Sequence, residues 1–460
     1  MTAKNNSVAC ASTRGQASFP RGVHPAESKE LAENAAIEVL PTPASVRIPV
    51  LQHLGKPAKV TAKPRASVAL NDAIGDADGF ISAGIHASIS GETARAGVTT
   101  LANGRHVPTV PIKAAEEQPL EGQALYDAMI GGEWPVTGLE QYEPKAIFAA
   151  AQEAGIVGQG GATFPTHVKL MKNDEKPVEA ILLNGCECEP YLTADYRMMV
   201  EAPASIVCGA LLAQIANGAR RVVVCIEDNK PEAIQAMRKA ADGTCVEVLS
   251  MKTKYPQGGE KQLVLAALGK AVPNGGLPLD VGAVVMNVGT ATALARKVVR
   301  GYNLTHRIVT VTGRGITTPK NVLAPVGVTF QQLVDFCGGL NADAARVVSG
   351  GPMMGFAVGS LESIVTKGTS GITVMTADEI AKADETNCVR CGRCVDVCPL
   401  NLVPTKLALA SRNNMPEVAS RYHINVCMEC GCCAYTCPAS IPLVQLIRVG
   451  KVQVRNMAAK

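Results

Sequence analysis

The chain has 460 residues, too many for one hydrophobic core, and its mix of 47% hydrophobic and 18% charged residues is that of a globular protein. A net charge of only +4, with no basic run interleaved with aromatics, gives no case for nucleic-acid binding. No apolar stretch approaches the ~18–20 residues of a membrane span, and the N-terminus lacks a signal-peptide pattern.

Residues Met1 to Ser18 are polar and are expected to be disordered. From about Phe19 to Ile112, short apolar runs such as SVRIPVLQHLG and GFISAGIHASISG are broken by Pro and Gly, which predicts a small all-β domain. EPKAIFAAAQEAGIVG then has helical spacing. Strand–loop–helix units follow: EAILLN, RRVVVCIEDNKPEAIQAMRKA, CVEVLSMKTKYPQGGEKQLVLAAL and VGAVVMNVGTATALARKVV. Such alternation predicts a parallel α/β sheet with ligand loops at the strand carboxyl ends. A smaller αβ unit runs from HRIVTVTGRG to VVSGGPMMG, and a cysteine-rich module with an amphipathic helix from Leu443 closes the chain.

GIVGQGGATFPTHVK is the first stretch with a chemical reading. Gly158, Gly160 and Gly161 let the backbone approach a ligand and turn its N–H groups inward, an anion nest suited to phosphate. It is neither a Walker A loop nor a dinucleotide fingerprint, and by itself a plain tight turn explains it equally well. Polar groups at four strand ends strengthen the case: Asn184, Glu187 and Glu189; Glu227, Asp228 and Asn229; Gly258, Gly259 and Glu260; Asn287 and Thr290. Each alone reads as a solvated loop or helix cap; together with the glycine loop they point to one ligand site.

The cysteine module reads C-x-x-C-x-x-C-x-x-x-C-P twice, as CVRCGRCVDVCP and, 39 residues later, CMECGCCAYTCP. Three close thiolates on a loop and a fourth from the partner run suit a cubane. One [4Fe–4S] cluster is expected on Cys388, Cys391, Cys394 and Cys437, the other on Cys427, Cys430, Cys433 and Cys398. A pair of zinc sites is the weaker reading, because zinc uses two C-x-x-C pairs rather than four-cysteine runs ending in proline. Cys432 falls outside the spacing and is expected to pack or to tune a cluster. Disulfides are disfavoured for a chain with this clustering and no signal peptide. Two clusters make an electron path, and a flavin is the group that converts a nicotinamide hydride into single electrons.

These residues resemble a known family. GQGGATFPTHVK, N-x-x-E-x-E-P at Asn184–Pro190, G-G-E at Gly258–Glu260 and N-V-x-T at Asn287–Thr290 resemble the NADH-oxidising flavoprotein of respiratory complex I. Closer is the RnfC family of the Rnf electron transport complex: GVHP…K at Gly22–Lys29, QHLGKPA, CECEPYLTAD, IEDNKPEAI, TKYPQGGEKQL, NVGTA, GGPMMG and the cysteine runs occur in that family in this order. The resemblance implies a multidomain α/β and α+β protein. Its parts are a barrel-sandwich domain of biotinyl/lipoyl type (19–115, with no carrier lysine), a Rossmann-like FMN/NADH domain (116–303), a soluble-ligand-binding β-grasp domain (304–365) and a two-cluster ferredoxin-like domain (366–460).

It further implies FMN and NAD(H) as cofactors and a place on the cytoplasmic face of a bacterial membrane complex coupling ferredoxin and NAD oxidoreduction to ion transport. Partners would be the other subunits, with ferredoxin reached through them. Carried over, Gly158, Gly160, Gly161 and Lys169 match the flavin-phosphate region, and Asn184, Asn287 and Thr290 match flavin contacts. Phe164, Glu187, Glu189 and Glu260 match the nicotinamide nucleotide region, although Glu187 and Glu189 also suit capping of local backbone. His167 is expected to pack, and no general acid or base is named. Cys186 and Thr163 depart from the family pattern, which tends to have alanine and glycine there. Two other readings stay open: a cobalamin reductase of a bacterial microcompartment, and a non-catalytic iron–sulfur relay.

Overall fold

The computed structural model describes residues 17–380 and 384–458. In the α/β domain, strands β1 (Ala180–Asn184), β2 (Arg221–Glu227), β3 (Val246–Met251) and β4 (Ala283–Asn287) pair in parallel in the order β3-β2-β1-β4. Its helices include α1 (Ala194–Glu201), α2 (Pro203–Asn217), α3 (Pro231–Ala241), α4 (Glu260–Leu268) and α5 (Val288–Arg300). Ile181, Leu183, Val222 and Val224 pack with Ile206, Ala210 and Leu294 on one face; Ala180, Leu182, Val223 and Cys225 pack with Val264 and Ala267 on the other. A sheet covered on both faces needs apolar residues at every strand position, hence AILLN and RVVVCIE. Helices α2 and α5 touch at Gly209, where a Cβ would lie 1.9 Å from the Ala291 carbonyl oxygen.

The chain steps outward from β1 to β2 to β3, then returns past β1 to lay down β4. That reversal opens a crevice beyond the carboxyl ends of β1 and β4. Asn184 and Asn287 end these two strands and are partners in register.

The N-terminal β domain forms from Ser45 onward. Ser45–Pro49 pairs antiparallel with His106–Ala114, which also holds Gly91–Thr93 and Gly97–Thr100, around a core of Val46, Ile48, Ile74, Ile85 and Ile112. The boundary expected at Phe19 is corrected, because residues 17–40 form a strap across the other domains. Ala17 N donates to Ala266 O, Gly22 N donates to Val397 O, Val23 and Tyr255 form an antiparallel bridge, and Ile37–Val39 pairs in parallel with Asn321–Leu323. Ala17 and Ser18, expected to be disordered, belong to this strap; residues 1–16 lie outside the described residues.

The β-grasp sheet has six strands, with Phe330, Leu333 and Val334 of the helix Phe330–Phe336 seated against Val309, Val311 and Val374. Its end moves from 365 to 376. Gly371–Thr376 pairs in parallel with His306–Thr312 and antiparallel with Ala344–Ser349, so GITVMT fills the centre of this sheet and does not open the next domain.

The ferredoxin-like domain repeats its backbone as well as its cysteines. Arg390, Gly392 and Asn401 have φ of 57, 80 and 57°, and Glu429, Gly431 and Ser440, each 39 positions on, have 60, 84 and 49°. Short helices Arg393–Asp396 and Cys432–Tyr435 keep the same offset. The last helix, Leu443–Ala458, lies across Pro404–Arg412 so closely that a Cβ at Gly450 would sit 1.9 Å from Ser411 Oγ. Among the described residues no single helix is long and apolar enough to cross a membrane.

Candidate functional site

The glycine loop runs along the mouth of the crevice, anchored by Gln159. Its N–H donates to Thr290 Oγ1 at 2.9 Å, its side-chain amide donates to Gly289 O at 3.0 Å, and its carbonyl accepts from Arg307 Nη1 at 3.2 Å. Gly158 N donates to Phe164 O at 2.9 Å and closes the loop, leaving Phe164 half-buried. Gly160 and Gly161 are exposed. A Cβ on Gly160 would touch the Asn287 side chain at 3.4 Å, and Gly161, with φ of +116°, has open space before it. Bare backbone with room in front is what a phosphate or a flat ring requires.

Helix α5 begins at this point. Asn287 caps it, its Oδ1 accepting from Gly289 N at 2.9 Å, so the positive end of the helix opens onto the crevice. Lys169 Nζ donates to Glu260 Oε1 at 2.7 Å and to Val285 O at 2.9 Å. With side-chain exposures of 32% and 41%, this pair stays open to an incoming anion. Asn184 Nδ2 donates to Gly258 O at 2.8 Å, while its Oδ1 accepts from Cys186 N. These groups fit a flavin mononucleotide: exposed backbone, an ammonium and a helix N-terminus for its phosphate, and amides at the sheet edge.

Asp195 and Arg307 belong to this site and were not singled out from the sequence. Asn287 Nδ2 donates to Asp195 Oδ2 at 2.6 Å. Burial, and then the nearby Glu187 carboxylate, push the Asp195 carboxyl up to about 7. Asp195 stands in the quoted CECEPYLTAD stretch, which was its only signal. Arg307 opens a β-grasp strand far along the chain, and nothing local marks it.

Glu187 and Glu189 take the capping role. Glu187 accepts from Asp195 N at 2.8 Å and Tyr196 N at 2.9 Å, closing the start of α1. Glu189 accepts from Met353 N at 3.1 Å and Met354 N at 2.8 Å, tying the α/β domain to the GGPMMG loop; burial pushes its carboxyl up to about 7. Unpaired backbone donors beside a carboxylate are the nearest partners it can find.

Buried Lys29 donates to the carbonyls of Glu187, Glu189 and Leu192, and buried Lys230 donates to Cys186 O and Glu227 Oε2. Glu227 is therefore part of the scaffold. Asp228 accepts from Thr253, and Asn229 Nδ2 donates to Glu27. The expectation that four strand ends share one site is thus corrected: the end of β2 holds the loop instead of facing the crevice. His167 packs between Phe80 and Phe148. Cys186 is wholly buried, and burial pushes its thiol pKa up, which makes it a poor target for oxidation.

In the ferredoxin-like domain, Cys427, Cys430 and Cys433 line a cavity with Cys398 from the other run, walled by Leu402, Leu407, Val444 and Ile447. Cys432 also borders it, with its Sγ 4.0 Å from Tyr255 O. Cys388 and Cys391 are exposed, Cys394 is buried and Cys437 is half-buried. Among the described residues no three His, Cys, Asp or Glu side chains converge on a single ion. Thiols spread around an apolar cavity suit a polynuclear cluster better than zinc.

One segment joins the two sites. Tyr255 Oη donates to Cys430 O at 2.7 Å, and a Cβ on Gly259 would lie 2.6 Å from Met428 Cε. Gly258 O meets Asn184, Glu260 meets Lys169, and Gln262 Nε2 donates to Pro399 O at 3.3 Å.

Four family descriptions match along the chain: the RnfC barrel sandwich hybrid domain at residues 17–117, the Nuo51 FMN-binding domain at 151–296, the SLBB domain at 308–357 and the 4Fe-4S dicluster domain at 380–438. The chain is 43% identical over 440 residues to the RnfC-type subunit of the proton-translocating ferredoxin:NAD(+) oxidoreductase complex of Clostridium ljungdahlii, covering 95% of this chain and 94% of that one. The chain belongs to the RnfC family.

A second RnfC protein, from the Na(+)-translocating complex of Acetobacterium woodii, is 41% identical over 437 residues, covering 95% of this chain and 97% of its own. A solved NAD+-reducing [NiFe]-hydrogenase shares 19% identity at a TM-score of 0.47, over 71% of this chain and 65% of its own, and carries no argument. The RnfC match spans the barrel-sandwich domain and sets aside the cobalamin-reductase reading. This RnfC chain is a subunit of an ion-translocating ferredoxin:NAD(+) oxidoreductase, with an FMN-binding and a 4Fe-4S dicluster domain.

Proposed function

We propose that this subunit handles NAD(H) in the crevice beyond Asn184 and Asn287 and passes electrons between FMN held there and two [4Fe–4S] clusters. The observation that carries this reading is the segment Tyr255–Glu260, which grips the crevice through Asn184 and Lys169 and the second cysteine loop through Cys430. A bound flavin supplies the exchange between a hydride and single electrons. The chain itself contributes placement. Lys169, the N-terminus of α5 and the backbone of Gly158, Gly160 and Gly161 receive the phosphate. Asn184, Asn287 and Thr290 fix the edge on which the ring system rests, and Phe164 and Glu260 border the nucleotide. Glu187 and Glu189 act through the backbone they hold.

Cys427, Cys430, Cys433 and Cys398 hold the inner cluster, next to Tyr255. Cys388, Cys391, Cys394 and Cys437 hold the outer one, where exposed Cys388 and Cys391 face partner subunits that communicate with ferredoxin. The subunit works at the cytoplasmic face of a bacterial membrane.

The test is anaerobic. Reconstitute the protein with iron, sulfide and FMN, add NADH, and follow the visible spectrum. Prompt bleaching of flavin and clusters, lost in Lys169→Ala, supports the reading. A protein that refuses flavin while its clusters respond to dithionite is instead the iron–sulfur relay.

A further inference from the structure

The barrel-sandwich domain has no part in the reading above, yet two of its stretches, QHLGKPA and GFISAGIHASISG, close on the glycine loop. Leu54 N donates to Thr163 O at 3.2 Å. His167 Nε2 lies 3.0 Å from Phe80 O, and the two rings meet edge to face at 6.1 Å. The tips are also locked to each other. Lys56 N donates to Ile81 O at 3.0 Å, Ser82 Oγ donates to Lys56 O at 2.8 Å, and Lys56 pairs with Asp78 at 2.7 Å. A Cβ on Gly55 would lie 2.1 Å from Ile81 O. The product is a firm ledge at the lip of the crevice, on which Leu54, Phe80 and Ile81 remain 54%, 55% and 42% exposed. Backbone held this firmly beneath three uncovered apolar side chains marks a binding surface.

We propose that this ledge seats the purine end of the dinucleotide. The inference rests on the reading that NAD(H) enters the crevice. A dinucleotide carries its two bases at opposite ends of a ribose–pyrophosphate bridge. With the nicotinamide end at the exposed Gly160–Gly161 backbone, the purine falls outside, on the rim. A purine has a flat apolar face that gains by leaving water, and a phenyl ring flanked by aliphatic side chains is a surface that stacks with it. The ledge is bonded to Thr163, next to Phe164, and so continues the crevice without a break.

The test uses the full chain loaded with FMN and both clusters, as wild type, Phe80→Ser and Ile81→Ser. ADP-ribose binding is measured by titration calorimetry. Ferricyanide reduction is compared between NADH and reduced nicotinamide mononucleotide, which lacks the purine half. The expected result is ADP-ribose binding weakened about ten-fold and the kcat/KM advantage of NADH over the mononucleotide cut by about the same factor. Flavin content and Tm should hold, because both side chains are exposed. Unchanged ADP-ribose binding overturns the proposal, as does an equal loss with both substrates, which would mean that the ledge acts through the loop. If the wild type favours NADH no more than the mononucleotide, the purine seat alone fails. If it oxidises neither, the NAD(H) reading fails with it.

Discussion

The hydroxyl of Tyr255 donates a 2.7 Å hydrogen bond to the carbonyl of Cys430, at the seam between the α/β and ferredoxin-like domains. Tyr255 is 1% exposed and packs with Val23, Cys188, Cys432, Met353 and Met428. Tyr255→Phe leaves the ring in place and the carbonyl without its donor, a loss of about 1–3 kcal/mol. Tm should fall, and one cluster's reduction potential should shift while the other's stays. Spectroscopic redox titration decides: two unchanged potentials would mean that Tyr255 does not position the loop.

Crossed ligation makes Cys398 and Cys432 opposites. Cys398→Ala should cost one cluster, halving the iron content although the second run keeps all of its own cysteines. Cys432→Ala should keep both. Iron analysis and electron paramagnetic resonance read the outcome, and the reverse pattern would assign the ligand role to Cys432.

Lys169 and Arg307 should both matter for flavin, by different routes. Lys169→Ala removes a charge-assisted contact of about 1.5–3 kcal/mol, so FMN should bind ten-fold or more weakly with Tm unchanged. Arg307→Met leaves the carbonyls of Gln159 and Lys367 without their shared donor, so FMN affinity and Tm should fall together. Fluorescence titration and thermal unfolding separate the two; a stable Arg307→Met that binds FMN normally would free the loop from this anchor.

Glu189 and Asp195 give the fold a pH signature. Each carboxyl is raised to about 7 in the folded protein, chiefly by burial. The folded state therefore binds more protons than the unfolded chain, and the stability this confers is complete below about pH 4 and lost as pH rises through about 7. Tm should decline from pH 5 to 8 and decline less in Glu189→Gln. An identical slope in the variant would remove Glu189 from the effect.

The cysteine runs were legible because cluster chemistry is written in local spacing. Asn184, Asn287 and Lys169 could be read as well, since a parallel strand announces its own carboxyl end. Arg307 could not: its value lies in reaching the Gln159 carbonyl across two domains. Glu187 and Glu189 looked like ligand contacts because their nearest donors, the amides of Asp195, Tyr196, Met353 and Met354, become neighbours only after folding. The same reason hid the allegiance of Ile37–Val39 and Gly371–Thr376, whose composition says strand but does not name the sheet.

The strap formed by residues 17–40 has a temporal consequence. Its partners are Tyr255, Asn321–Leu323 and Val397, all made long after it leaves the ribosome. Each domain can take shape as it emerges, but this ribbon has to wait, unattached, until the first cysteine run has been synthesised. Closure of the molecule is thereby a late event, and until then the seam behind Tyr255 stands open to the delivery of iron and sulfide.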